Sequence, residues 1–158
     1  MVDRPEESVW DYPRPPRVEA FSGLIEVHHG GLVLAKSHRT YRALETSHPP
    51  VFYIPPADIE MEMLVKTAKT SMCEFKGMAI YYDLVLPEMQ VESVAWSYEN
   101  PRRGFEEIKD HLAFYPSKVD ACYVDGEKVK PQEGDFYGGW ITKNIKGPFK
   151  GGPGTWGW

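Results

Sequence analysis

The sequence has few cysteines, and it lacks the patterns in which cysteine and histidine hold a metal. Only Cys73 and Cys122 carry a thiol, so the chain cannot build the disulfide framework typical of small secreted domains. There is no Cys-x-x-Cys motif, and no two of the five histidines have the spacing of metal ligands on a helix. We therefore expect no structural zinc and no cofactor. Two isolated thiols also favour a reducing compartment, with the cytoplasm as the default location.

Long hydrophobic runs and a strong positive charge are missing as well. No window approaches the eighteen apolar residues of a membrane-spanning helix, and the first 17 residues lack the apolar core of a signal peptide. The net charge is −5, and residues 136–158 carry three lysines and no acid, so the rest of the chain is acidic. Because neutralisation of phosphates supplies most nucleic-acid affinity, we expect a protein that binds neither nucleic acid nor membrane.

Short β-prone segments separated by turn residues dominate what is present. Residues 24–28 and 32–36 flank a Gly-Gly turn, and residues 73–86 and 91–98 form the clearest hairpin, joined by four residues. A helical turn is predicted near Asp58 and another after Gly104. The pattern predicts a mostly β fold: a single compact domain of antiparallel strands with one or two short helices.

Composition divides the chain into three parts. Residues 1–16 contain four prolines and are predicted to form an extended arm. Residues 17–133 form the β domain. Residues 134–158 contain eight glycines and six aromatic residues. We expect this C-terminal tail to wrap around the body, or around a partner subunit, with its aromatic side chains as anchors.

The central hairpin predicts a ligand pocket. If Leu86 lies opposite Val91, then Tyr81 faces Trp96, and Tyr98 lies further along the same face. Small residues, an alanine and a glycine, flank these rings, and large rings beside small residues leave a concavity of the kind that binds ligands. A register shift of one residue would move every one of these side chains to the other face, and aromatic ladders on hairpins also form ordinary cores.

Polar groups near this hairpin are candidates for chemistry. Strand alternation places Cys73 on the face of the rings and Lys76 on the opposite face, unless Gly77 carries a bulge. Cys73 is a candidate nucleophile with Lys76 as its nearest cation, although a lone cysteine can equally be a small buried hydrophobe. Lys76 could instead hold an anion or form an imine. His48 is a candidate acid or base, and Glu45 is its candidate partner or a member of an ion pair.

Two sets of candidate residues result. The candidate catalytic residues are Cys73, Lys76, Glu45 and His48. The candidate ligand-binding residues are aromatic or cationic, and they are Arg39, Tyr53, Tyr81, Tyr82, Trp96 and Tyr98.

Three motifs, in order, resemble domain-of-unknown-function family 427. Residues 45–59 resemble its "ET…PPVYYFPPEDV" segment, and residues 73–82 resemble its "CPYKGxAxYY" signature with Glu74 in place of the usual proline. Residues 95–119 are similar to its "AWxYxxP…IxxxvAFY…V" end. The resemblance covers about residues 10–124. The glycine- and tryptophan-rich tail lies outside it and resembles an extension of cyanobacterial and plant-type members.

The resemblance implies a small β fold of the Mss4-like or β-tent type. Relatives on that scaffold include methionine sulfoxide reductases and binders with an aromatic cage, and many hold zinc with two Cys-x-x-Cys pairs. This chain has neither pair, so the resemblance does not carry the metal over. The family also has a nucleotidyltransferase-like label, but the sequence has no phosphate-binding loop and no paired metal-binding carboxylates to match it.

These observations favour a small-molecule-binding β domain whose pocket takes an unidentified, partly planar ligand. One alternative is an enzyme that uses Cys73 or Lys76 in transferase or thiol chemistry. Another is a protein-interaction module that docks its aromatic tail onto a partner or onto a second copy of the chain, which would make it a homodimer.

Overall fold

The computed structural model describes residues 4–134 and 136–158, and it confirms a mostly β fold. The helical elements of these residues are five three-residue 3-10 turns: Val9–Asp11, Pro56–Asp58, Met61–Met63, Glu106–Ile108 and Pro116–Lys118. The strands are β1 (Glu7–Ser8), β2 (Arg17–Phe21), β3 (Ile25–His29), β4 (Leu32–Ser37), β5 (Thr40–Leu44), β6 (Val51–Tyr53), β7 (Leu64–Cys73), β8 (Gly77–Leu86), β9 (Met89–Ser97), β10 (Leu112–Phe114), β11 (Ala121–Val124), β12 (Glu127–Lys128), β13 (Lys130–Pro131), β14 (Trp140–Ile141) and β15 (Ile145–Lys146).

Three antiparallel sheets of three or four strands build a single compact domain, and two-stranded pairs complete it. The strand orders of the three sheets are β10-β9-β8-β7, β12-β11-β3-β4 and β2-β5-β6. The 3-10 turns near Asp58 fall where the sequence predicts a helical turn, but Asp58 ends the first of them instead of capping it, and its carboxylate accepts a hydrogen bond from the Ser37 hydroxyl. Among the described residues, no helix is long and apolar enough to cross a membrane.

The N-terminal arm and the C-terminal tail pack together on the body. Strands β1 and β15 pair in parallel, with Glu7 opposite Ile145. Val9 and Tyr12 are buried in a small cluster with Leu44 and Ile145. The tail also forms strand β14, which pairs with β13. Both ends of the described chain therefore contribute to the packed structure.

The hairpin that carries the cysteine differs from the prediction. Cys73 ends β7, a ten-residue strand, and pairs with Gly77, the first residue of β8. Lys76 lies in the turn between these strands, where Gly77 adopts φ +111°. The prediction that Lys76 lies on the face opposite Cys73 was wrong, because strand alternation does not apply within a turn.

The predicted register between β8 and β9 is confirmed where it matters for the pocket. Tyr81 pairs with Trp96, as predicted. The assumed loop was wrong, since Leu86 pairs with Met89 and the turn is shorter than four residues. A bulge in β9 restores the register: the backbone N–H of Ser93, at φ 50°, donates to the Asp83 carboxylate over 2.8 Å. The short turn shifts the pairing of β8 with β9 from the predicted register, and the bulge shifts it back before Tyr81 and Trp96.

Among the described residues, two large buried clusters fill the domain beside the small cluster around Val9 and Tyr12. The larger, which we call the aliphatic core, consists of Ile25, Val27, Leu34, Ala35, Phe52, Ile54, Ile59, Leu84, Val94, Ala95, Leu112, Phe114, Val119, Cys122, Val124, Val129 and Trp140. The second, which we call the aromatic cluster, consists of Ala43, Tyr53, Ala79, Tyr81, Trp96, Tyr98, Phe105, Ile108, Ala113 and Tyr115. Ala79 and Tyr81 alternate along β8 with residues of the other face, so one side of this strand belongs to the aromatic cluster.

Candidate functional site

A cavity of about 360 Å³ opens beside the aromatic cluster. Its walls come from β6, β8 and β9, from the turn that follows β7, from the segment after β5 and from the C-terminal tail. Met72, Glu74 and Phe136 line it and are exposed, whereas the rings of the aromatic cluster that line it are buried. The exposed residues therefore mark its mouth and the buried rings its inner end.

Aromatic rings in edge-to-face and tilted contacts form the inner wall. The ring centroids of Tyr53 and Trp96 lie 6.3 Å apart, and those of Trp96 and Tyr115 lie 4.6 Å apart. Burial raises the pKa of the Tyr53 and Tyr98 hydroxyls. Both hydroxyls are therefore protonated at neutral pH and are available as hydrogen-bond donors.

Lys76 and Cys73 meet at one end of the cavity. The ammonium Nζ of Lys76 lies 3.8 Å from the Cys73 Sγ atom and 6.0 Å from the centre of the Phe105 ring. Lys76 is only 9% exposed. Among the described residues, no carboxylate oxygen lies within 4.0 Å of this ammonium. A lysine this buried without an anionic partner is uncommon, since a charge removed from water is costly unless it is paired.

Glu45 and His48 lie at the cavity three residues apart. His48 Nε2 is 3.9 Å from Glu45 Oε2, and Arg14 Nε is 3.4 Å from the same oxygen. Burial lowers the pKa of His48; the Glu45 charge opposes this, and the charge of Lys150 adds to it. His48 is therefore neutral at pH 7, and its protonation requires acidification.

Gln132, a residue of the segment before the tail, fixes the orientation of His48. The Gln132 side-chain oxygen accepts from the Gly139 N–H over 3.2 Å, and its Nε2 donates to the Lys150 carbonyl over 2.8 Å. These two contacts determine which end of the amide faces His48, and Nε2 lies 3.2 Å from His48 Nδ1. Because Nδ1 faces a donor, it must be the unprotonated nitrogen. The proton of neutral His48 is then on Nε2, on the side of Glu45.

The tail supplies the remaining wall, which sequence reasoning did not identify as part of the site. Phe136, Tyr137, Gly138 and Lys150 line the cavity, and the Tyr137 ring lies 5.4 Å from the His48 ring. The available signal was the aromatic content of the tail, which predicts anchors but not where they dock. Tyr115, which directly follows β10, was missed as a site residue too.

The structure brings most of the predicted site residues together. Eight line the cavity: Glu45, His48, Tyr53, Cys73, Lys76, Tyr81, Trp96 and Tyr98. Two others, Arg39 and Tyr82, lie outside it. The Arg39 side chain is 65% exposed and pairs with Asp58 at 2.6 Å. Tyr82 follows Tyr81 on β8, so it points to the other face of the sheet and packs against the aliphatic core.

The polar side chains of the site do not form a metal-binding cluster. Among residues 4–134 and 136–158, no group of three or more histidine, cysteine, aspartate and glutamate side chains could hold a metal ion. The site thus presents a lysine ammonium, a thiol, tyrosine hydroxyls and a neutral imidazole around a partly aromatic space.

The model of the family described as Domain of unknown function (DUF427) matches residues 17–125, and the chain belongs to this family. No curated protein matches the chain. The matched region holds the aromatic wall, Cys73, Lys76, Glu45 and His48. The tail residues that complete the cavity lie beyond it.

Proposed function

We propose that this member of the DUF427 family binds a small molecule with a flat, unsaturated part in the cavity beside the aromatic cluster. The observation that carries the proposal is the combination of a cavity of about 360 Å³ with an inner wall of buried rings and polar groups opposite that wall. Ligand sites commonly have volumes of about 300–1,000 Å³ and join an apolar lining to a few polar groups.

The ring geometry supports a flat ligand. Trp96 contacts Tyr53 edge to face and Tyr115 at a tilt, so the rings of the wall face the space at different angles. Aromatic pairs in such arrangements are worth about 0.5–1.5 kcal/mol beyond the area that they bury. A flat ligand inserted among these rings makes the same ring contacts. An aliphatic ligand gains only the free energy of the apolar area that it buries.

Native mass spectrometry of protein purified gently from its own host tests this proposal. We expect a bound small molecule that is released on denaturation and is lost in the Trp96→Ala variant. The matched control is Trp10→Ala, because Trp10 is 42% exposed and is not among the cavity residues. Retention of the molecule by Trp96→Ala at wild-type occupancy would show that it binds elsewhere.

A second candidate function is an enzyme that uses Cys73 or Lys76. The 3.8 Å approach of the Lys76 ammonium to the Cys73 sulphur favours it, because a cation in this place would stabilise negative charge that develops on sulphur. A sulfoxide reductase is disfavoured, since Cys122 is buried in the aliphatic core, away from the cavity, and cannot resolve an intermediate on Cys73. Cys73→Ser abolishes any turnover that is found if Cys73 is the nucleophile, and Lys76→Met abolishes it if Lys76 is the reacting group. Full activity of both variants excludes this function.

The third candidate is an interaction module or a homodimer built with the tail. Most of the tail packs on its own body, but Trp156 is 94% exposed and Phe136 is 66% exposed. If these rings dock onto a second copy, the double variant Trp156→Ala/Phe136→Ala will be monomeric in light scattering while the wild type is a dimer. Equal masses for the two proteins contradict the dimer.

Both cysteines are free, which agrees with the cytoplasm as the proposed location.

A further inference from the structure

We propose that the ligand of this cavity carries one carboxylate, which binds the ammonium of Lys76, so that the ligand class is that of flat aromatic or conjugated carboxylic acids. This inference rests on the proposed binding function of the cavity and deepens it.

Lys76 lines the cavity and is 9% exposed. Its ammonium lies near a sulphur and a neutral ring, those of Cys73 and Phe105. Within the described part of the chain, no carboxylate compensates it. Burial of an uncompensated ammonium is unfavourable, and an anion in the adjoining space would supply the missing partner.

Other ionisable groups line the cavity beside Lys76. Glu45 already has Arg14 at 3.4 Å, and His48 is neutral at pH 7. Glu74 is exposed at the mouth, and Lys150 is half-buried. Lys76 is therefore the most buried of the charged side chains that line the cavity. A single negative charge on the ligand balances it.

The charge at Lys76 suits a carboxylate better than a phosphate. A phosphate monoester carries close to two negative charges at neutral pH, so Lys76 alone would leave one of them uncompensated. Phosphate sites typically offer an arginine fork or several backbone N–H groups, whereas the described lining of this cavity holds no arginine, and a lysine acts as a point charge. A monoanion suits it better.

The flat part of the ligand is expected near Lys76 as well. Cys73 lies beside Lys76 and packs against the aromatic cluster, to which Tyr53 and Tyr98 belong. Both tyrosines are protonated and can donate to a carboxylate oxygen. A carboxylate at Lys76 then leaves the attached ring among the aromatic side chains.

Isothermal titration calorimetry with matched probes tests the inference on the full chain. The probes are 2-naphthoate, 2-naphthamide and 2-naphthyl phosphate, which share one ring system and differ in charge. We expect 2-naphthoate to bind at least about tenfold more tightly than the amide and than the phosphate, because a charge-assisted hydrogen bond exceeds the about 1.4 kcal/mol that a factor of ten requires. In Lys76→Met the preference for the acid over the amide is lost. Lys76→Arg keeps the positive charge and is expected to retain this preference. Lys36→Met is the control, because Lys36 is exposed and is not among the cavity residues.

The outcomes separate this inference from the function on which it rests. Equal affinity of the wild type for acid and amide overturns the carboxylate class and leaves a neutral-ligand cavity. Tighter binding of the phosphate overturns the single-charge assignment. Failure of all three probes to bind counts against the flat-ligand function itself. The comparison of acid with amide in the wild type decides the question even if Lys76→Met fails to fold.

Discussion

Gly138, in the C-terminal tail, lies directly against the indole ring of Trp96, so that a Cβ atom built on Gly138 would overlap the ring. Trp96 belongs to β9 and to the inner wall of the cavity. The tail and the aromatic wall are thus packed to a contact that only glycine permits, and the tail forms part of the site.

Substitution of this glycine tests the contact. Gly138→Ala is expected to lower the free energy of unfolding by about 1–3 kcal/mol, the usual cost of overpacking, because the tail must move away from Trp96. Urea denaturation followed by tryptophan fluorescence measures it. The control is Gly157→Ala, since a Cβ atom at Gly157 meets nothing within 4 Å. If the two variants are equally stable, the tail does not pack against Trp96 in solution.

The sequence predicted the strands and the face of the central hairpin well, because these follow from the period of two and from β-prone residues. The pairing of Tyr81 with Trp96 was right although the assumed loop was wrong. The bulge at Ser93 could not be foreseen from the pattern. It depends on a hydrogen bond to Asp83, and a local polar contact of this kind leaves no hydrophobic period.

The contribution of the tail to the site could not be predicted for a different reason. Gln132 and Lys150 approach His48 only through tertiary packing across a large separation in sequence, and no local rule links them. Arg39 was selected as a cation on a strand, but Asp58 pairs with it on the surface. Sequence patterns identify the wall-forming strands, whereas the partner of a charged side chain depends on the fold.

The tail contains a buried and an exposed tryptophan, and substitution of each by alanine is expected to change stability by very different amounts. Trp140 is 1% exposed, its Nε1–H donates to the Phe114 carbonyl over 3.2 Å, and its ring lies 4.9 Å from that of Phe52. Trp140→Ala is expected to cost about 3–5 kcal/mol of stability, as large core truncations do. Trp156 is 94% exposed, and Trp156→Ala is expected to change stability by less than about 0.5 kcal/mol.

Thermal and urea unfolding of both variants measure this difference. A small loss for Trp140→Ala would mean that the tail is not anchored in the aliphatic core.

The lowered pKa of His48 predicts a loss of stability in mild acid. Its pKa is lowered from 6.5, chiefly by burial, so the unfolded chain takes up the proton at a higher pH than the folded protein. The contribution of His48 to stability is therefore complete above pH 6.5 and falls as the pH drops from there towards the folded pKa. The slope within this window is up to about 1.4 kcal/mol per pH unit.

The measurement is urea unfolding at several pH values for wild type and for His48→Asn, whose side-chain oxygen can still accept from Gln132. We expect the variant to lose less stability than the wild type on acidification. His38→Asn, on an exposed histidine, is the control and should follow the wild type. If His48→Asn also follows the wild type, His48 does not titrate with a lowered pKa.

The two thiols are expected to react very differently with a water-soluble reagent. Cys122 is 1% exposed within the aliphatic core, and burial raises its pKa, so the native protein presents neither access nor thiolate there. Cys73 lines the cavity and is partly exposed. Iodoacetamide, followed by mass spectrometry, should therefore add one label to the folded protein and two to the protein in urea.

Cys73→Ser should leave the folded protein unlabelled, and Cys122→Ala should leave the labelling rate of Cys73 unchanged. Labelling of Cys122 at the rate of Cys73 under native conditions would mean that the aliphatic core opens readily, and it would remove Cys122 as an internal reference for ligand protection of Cys73.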